Sequence, residues 1–243
     1  MLDKMARSCY TICNGVANLL KGGVQIMANR IAGVTEKILE CAQKEFLEKG
    51  FREASMRTIA ANAETTPKSI YTRYGDKEGL FGALVSPALS SLYQQIAAEQ
   101  ESYHQRSPEE QKNLTLDHEF AARYDNIERA IIDLIYDNFT AFKLLVDCSE
   151  GTKYEHFADT FIENDVKYTL QYIEVTANTL LSDGRGSRDL IEVLSRLQIT
   201  GMFEAVHRKM DRKAAHIYMK QLREFFERGW VELLNPQTNT GGD

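Results

Sequence analysis

Apolar residues recur at three- and four-residue intervals along most of the chain, and no run alternates polar with apolar before a hairpin turn. That periodicity predicts an all-α fold. From Val34 to Lys49 the apolar positions are Ile38, Cys41, Ala42 and Phe46, one face of a helix that Gly50 should end, with Phe51 packing back on the last turn. Two short helices follow. Ser55 caps the first, and Ile59, Ala60 and Ala63 form its inner side; Thr66 caps the second, with Pro67 at the first helical position, where its missing N–H costs nothing. Asp76 caps a longer helix beginning at Lys77, and Pro87 should break it into a segment over 76–85 and another reaching about 104. Residues 105–124 are polar and read as a loop with an acidic helix start at Pro108. Beyond it the pattern predicts one helix from Asp125 to Asp147 and another from Thr152 to Leu181, ended by Ser182 to Gly186. The last two run from Ser187 or Arg188 to about Lys209, and onward from Asp211 or Arg212.

The pair of short helices carries the chemistry. Ile70 and Tyr74 point one way at i, i+4, whereas Lys68, Ser69, Thr72 and Arg73 point elsewhere. A helix too short to be stable alone, with a buried seam and a basic outer face, suits insertion into a DNA groove. With its neighbours, the segment 34–85 resembles the DNA-binding domain of the TetR family of bacterial transcriptional regulators. The matching residues are Ala42, Phe46, Gly50, Ile59, Ala60, Ala63, Ile70, Tyr71, Tyr74, Asp76, Lys77, Glu78 and Leu80. The resemblance covers about a fifth of the chain. Four positions depart from the family pattern. Glu64-Thr65 stands where Gly and an aliphatic residue are usual, and a left-handed Glu64 would cost about 1 kcal/mol. Tyr74 replaces a common Phe, leaving a hydroxyl in need of a partner or solvent, and Gly79 removes the acidic half of a capping box.

Charge divides the chain unevenly. Residues 27–85 hold nine Lys/Arg against eight Asp/Glu, and residues 86–243 hold seventeen against twenty-six. Overall acidity argues against non-specific coating of nucleic acid, while a local basic set suits a site-specific binder. The cysteines at 9, 13, 41 and 148 show no paired spacing, Cys41 reads as a buried thiol, and a reducing cytoplasm fits. No apolar stretch is long enough to span a membrane. Residues 1–26 faintly suggest a signal peptide, but Asn14 and Asn18 interrupt the apolar patch. We expect an extension outside the fold, with translation starting at Met27, since codons for Lys21 to Val24 can spell a ribosome-binding sequence. The expected organisation is therefore 1–26 extension, 27–85 DNA-binding domain, and 86–243 helical effector-binding and dimerisation domain.

The resemblance implies a homodimeric repressor that a small molecule releases from a palindromic operator; the alternatives are an all-α ligand-binding or scaffold protein that does not act through DNA, or a non-transcriptional DNA binder with the same helices. Tyr71 and Lys77 would bind phosphates, Lys68, Ser69, Thr72 and Arg73 would enter the groove, and Arg57 and Thr66 would support the backbone contacts. By the same analogy Phe139, Phe142, Phe157, Tyr168, Tyr172 and Phe203 are candidate effector contacts. The final helices would pair across a two-fold axis through Leu190, Leu194, Leu197, Gly201, Tyr218, Leu222, Phe225 and Phe226. His156, His207 and His216 lack metal-ligand spacing, and no nucleophile, phosphate-loop or zinc motif is present. The partners expected are double-stranded DNA, a second copy and an unidentified effector, with no cofactor, no metal, no membrane and no enzymatic activity.

Overall fold

The computed structural model describes residues 33–104 and 118–234, so the expectations for residues 1–26 and for the helix start at Pro108 lie outside the described residues. Nine helices and no strand occur among them: α1 (33–53), α2 (Met56–Asn62), α3 (Pro67–Tyr74), α4 (Lys77–His104), α5 (His118–Asp137), α6 (Phe139–Cys148), α7 (Asp159–Val175), α8 (Arg188–His207) and α9 (Arg212–Leu234). The all-α reading holds. Two compact units divide the described residues, one built from 33–48 and 54–83, the other from 49–53 and 84–234.

The smaller unit is organised by apolar residues from every helix in it. Ile38, Ala42 and Phe46 of α1, Ile59 and Ala60 of α2, Ile70 of α3, and Leu80 and Phe81 of α4 are all buried. Phe46 and Phe81 meet edge to face at 5.2 Å, an arrangement the ring quadrupoles favour. Ser55 accepts a hydrogen bond from the Thr58 N–H at 3.3 Å, as a helix N-cap should. Its own N–H donates to Glu45 Oε1 at 3.1 Å. That bond gives the buried Glu45 carboxylate a partner and ties α1 to the start of α2.

In the larger unit α8 is the hub, packing against α6, α7 and α9, while α9 also packs on α5. One core cluster joins Ile162, Val166, Ile173, Leu180 and Ile191; a second joins Ile132, Ala205, Ala215 and Met219. Arg223 of α9 lies largely buried against Glu128 of α5 at 2.8 Å.

Three expected boundaries are corrected. Pro87 does not break α4, which runs through it to His104. The missing N–H forfeits one ladder bond, but buried Val85, Ala88, Leu89 and Leu92 hold the flanking turns. The single helix over 125–147 is two, because Asn138 leaves helical geometry (φ −118°, ψ 33°) and its side-chain amide donates to the Leu134 carbonyl at 2.9 Å. A short amide competing for backbone acceptors is a known helix interruption. The helix expected over 152–181 is shorter at both ends. Thr152 to Ala158 forms successive turns, and Ala177 takes φ 50° and closes α7 with Asn178 N–H on the Ile173 carbonyl and Ala177 N–H on the Glu174 carbonyl. That pair of bonds is the Schellman cap.

Candidate nucleic-acid interface

The turn between α2 and α3 follows the same rule. Glu64 adopts φ 52°, with Thr65 N–H donating to the Ala60 carbonyl at 2.9 Å and Glu64 N–H to the Ala61 carbonyl at 3.1 Å. A non-glycine residue pays for this geometry in steric strain. The Glu64 carboxylate pairs with Lys37 at 2.7 Å, and that hydrogen bond holds its pKa below the ordinary value. Thr66 then caps α3, accepting from the Ser69 N–H at 3.2 Å, with Pro67 at the opening position.

On α3, Ile70 is fully enclosed and fixes which side of the helix faces the core. Lys68, Tyr71 and Thr72, spaced i, i+3 and i+4, lie on the opposite side and are exposed; Tyr71 is 46% exposed despite its large ring. An aromatic ring held in water beside a lysine is an unusual use of apolar area, and it is suited to stacking along a nucleic-acid backbone. Lys68 has no ion pair among the described residues. The remaining polar groups are held within the helix. Thr72 Oγ1 donates to the Lys68 carbonyl at 2.8 Å, and the Arg73 guanidinium donates to the Ser69 carbonyl at 3.1 Å and to the Ser69 hydroxyl. Arg57 is exposed on α2.

Lys77, expected on a phosphate, is half-buried and its ammonium donates to the Ala54 carbonyl at 2.8 Å, which ties the start of α4 to the residue before the α2 cap. Gly79 also has a reason that sequence alone did not supply. A Cβ there would come within 1.9 Å of the Tyr74 carbonyl oxygen, so the acidic residue usual in the family cannot fit this turn. Asp76 still caps α4, accepting from the Gly79 N–H at 2.6 Å. The Tyr74 hydroxyl finds neither partner nor solvent: it is enclosed without a hydrogen bond, and burial pushes its pKa up.

The candidate effector contacts separate. Phe157 and Phe203 meet at 4.9 Å, and Phe161 and Tyr93, which the sequence reading left out of the site, extend that cluster through a 4.6 Å stack. Tyr93 also donates to the Phe157 carbonyl at 3.0 Å. Phe139 instead packs on Tyr136 at 5.3 Å, Phe142 is fully buried core, and Tyr168 and Tyr172 are half-buried on α7.

The interface candidates also divide. Leu190, Leu197 and Phe225 are exposed, Leu194 is half-buried, and exposed Val193, Ile217 and Val231 share their helices. Gly201, Tyr218, Leu222 and Phe226 make contacts within the chain. Tyr218 Oη donates to the Gly201 carbonyl at 2.8 Å, a Cβ at Gly201 would lie 3.1 Å from Leu222, and Phe226 is buried. The close helix approach that Gly201 permits is thus between α8 and α9 of one chain. Of the histidines, His207 bonds Asp147 at 2.7 Å and His216 bonds Asp133 at 3.1 Å. No group of three or more metal-ligating side chains gathers among the described residues, and no described helix is long and apolar enough to cross a membrane.

Comparison with known proteins agrees with this geometry. Residues 38–84 match the family model for bacterial regulatory proteins of the tetR family. No curated protein matches the chain. Among solved structures, a chain described as a TetR-family transcriptional regulator from Syntrophomonas wolfei is 17% identical, with 84% of this chain and 97% of that chain covered and a TM-score of 0.52. A TetR-like regulator from Rhodococcus sp. RHA1 is 18% identical, with 82% and 96% covered and a TM-score of 0.52. These likenesses show a shared fold along most of the chain. A capped, core-anchored α3 lies inside the segment that the family model matches, so residues 38–84 form a helix-turn-helix domain of the tetR-family kind.

Proposed function

We propose that this regulator acts as a homodimeric repressor, released from a palindromic operator by a small organic effector. The observation that carries the DNA half is the outer face of α3, where Lys68, Tyr71 and Thr72 stand opposite the enclosed Ile70. Lys68 and Thr72, with Ser69 and Arg73 once released from their intrahelical bonds, supply base-edge and groove contacts; Tyr71 and Arg57 hold phosphates. Two such helices on a two-fold axis read half-sites one DNA turn, or a multiple, apart. The exposed apolar residues of α8 and α9 support the pairing, together with a surface groove of 640 Å³ lined by Leu194, Phe225, Phe226 and Trp230 among others. Effector release works through α4, which supplies residues to both units. The protein acts in the cytoplasm, without catalysis.

The test is a gel-shift titration with the DNA upstream of its own gene, at two salt concentrations. Wild type should bind one palindromic site with a steep salt dependence. Tyr71→Ala should weaken binding to all sequences alike, whereas Lys68→Ala should relax preference at one base position. Equal operator affinity for wild type and Tyr71→Ala at a given salt concentration would remove Tyr71 from the interface.

A further inference from the structure

One peptide unit in the smaller unit is held at both ends by charge. It joins Ala54 to Ser55, the residue that caps α2. Its N–H, on Ser55, donates to Glu45 Oε1 of α1 at 3.1 Å, and its carbonyl, on Ala54, accepts from the Lys77 ammonium of α4 at 2.8 Å. The peptide is trans, so the two bonds run in opposite directions and the carboxylate and ammonium lie on opposite sides of it. An anion at the N–H and a cation at the carbonyl both align with the peptide dipole. Each polarises the group between them and strengthens the other's bond. Little water reaches this place: Glu45 is 4% exposed, Ala54 is buried and Lys77 is half-buried. A carboxylate so enclosed is costly unless it is hydrogen-bonded, and the Ser55 N–H meets that need.

We propose that Glu45 and Lys77 are positioning residues for DNA recognition, acting together through the 54–55 peptide without touching DNA. The plane of that peptide helps set the Ser55 φ of −108°, and so the direction in which α2 leaves its cap. Rotating it would take Ser55 out of the extended geometry from which its hydroxyl accepts the Thr58 N–H. α3 follows α2, because Ile59, Ala60 and Ile70 are buried together and Thr65 N–H closes the turn on the Ala60 carbonyl at 2.9 Å. Apolar packing is non-directional, whereas charge-assisted hydrogen bonds fix an angle. Through this one peptide the exposed face of Lys68, Tyr71 and Thr72 is set relative to α1 and α4 at once. The assignment rests on the DNA-binding reading above and gives a role in it to two residues outside the contact face. A Lys77 ammonium on a phosphate is the competing role, and salt dependence tells the two apart.

The experiment is fluorescence anisotropy of the full chain on a duplex from upstream of its own gene, over a salt series, beside hydrogen exchange read by mass spectrometry. Lys77→Met should weaken binding about tenfold at every salt concentration, with the slope of log affinity against log salt unchanged. A slope shallower by about 1 would place the ammonium on a phosphate and overturn the assignment. Glu45→Leu, which removes the acceptor, should match Lys77→Met, and Glu45→Gln, whose amide oxygen can still accept the Ser55 N–H, should bind within about threefold of wild type. The double variant of Glu45→Leu with Lys77→Met should lose no more than the more damaged single variant, because both act through one peptide. Losses that multiply to about a hundredfold mean two independent roles and overturn it. Exchange over residues 54–62 should quicken in both single variants while residues 159–175 keep wild-type rates; unchanged exchange with weakened binding also overturns it. Where Glu45→Leu unfolds the smaller unit, seen as fast exchange throughout 33–83, the salt slope of Lys77→Met decides alone. Wild type that binds no duplex overturns the DNA reading and the recognition role with it. Wild-type binding that both variants leave untouched overturns the positioning role alone.

Discussion

Single side chains in this protein depart from what local rules prefer, and each departure has a measurable cost. The Tyr74 hydroxyl is enclosed with no partner, so it loses its bonds to water and gains nothing in return. Tyr74→Phe should therefore stabilise the fold by about 1 kcal/mol, read as a higher urea midpoint at unchanged slope. Asp165 gives a pH signature. Its folded-state carboxyl lies above its ordinary value, so the folded protein keeps a proton through a window in which the unfolded chain has released it. Stability relative to Asp165→Asn should fall as pH rises from the ordinary carboxylate range to that raised value, and stay level above it. Urea denaturation of both proteins across that range checks the sign. A difference that widened in the opposite direction would show that Asp165 is stabilised when ionised.

At the scale of elements, three helix ends share one device without the residue that usually marks it. Glu64, Ala177 and Lys209 take φ between 50° and 54°, each closing a helix with the two crossed bonds of a Schellman cap. Glycine signals such an end in sequence, and its absence is why α7 was expected to reach Leu181. Ala177→Gly should relieve the left-handed strain and raise stability by about 1 kcal/mol in equilibrium denaturation, with no change in helical content. α3 was legible for the opposite reason. Its cap, its opening proline and its seam are all local, so Thr66, Pro67 and Ile70 announced it without knowledge of any neighbour. Lys77 was not legible in that way, because its acceptor, Ala54, is distant in sequence.

For the whole molecule, the outer faces of α8 and α9 decide assembly under the proposed reading. Phe225 is 73% exposed, more than a large aromatic is commonly left in a monomer, and it lies beside the groove at Leu194 and Trp230. Phe225→Asp should shift the protein to monomers in analytical ultracentrifugation and cost operator affinity, with helical content retained. Gly201→Ala should act differently. Its new methyl would press on Leu222 of the same chain, lowering stability modestly while leaving the oligomeric state unchanged. A monomeric Gly201→Ala would return that glycine to the interface.

Periodicity, caps and a basic outer face sufficed to specify an all-α chain and a helix-turn-helix, because each depends on residues within a turn or two of one another. The partner of Lys77, the steric need for Gly79, the enclosure of Tyr74 and the division of the α8–α9 residues between core and surface depend on contacts between distant segments. Asp165 belongs with these. In sequence it is one more acid on a solvated helix, and only the packed fold half-buries it and pushes its carboxyl pKa up. Local spacing determines which element forms, while burial and the direction of each side chain are properties of the packed whole.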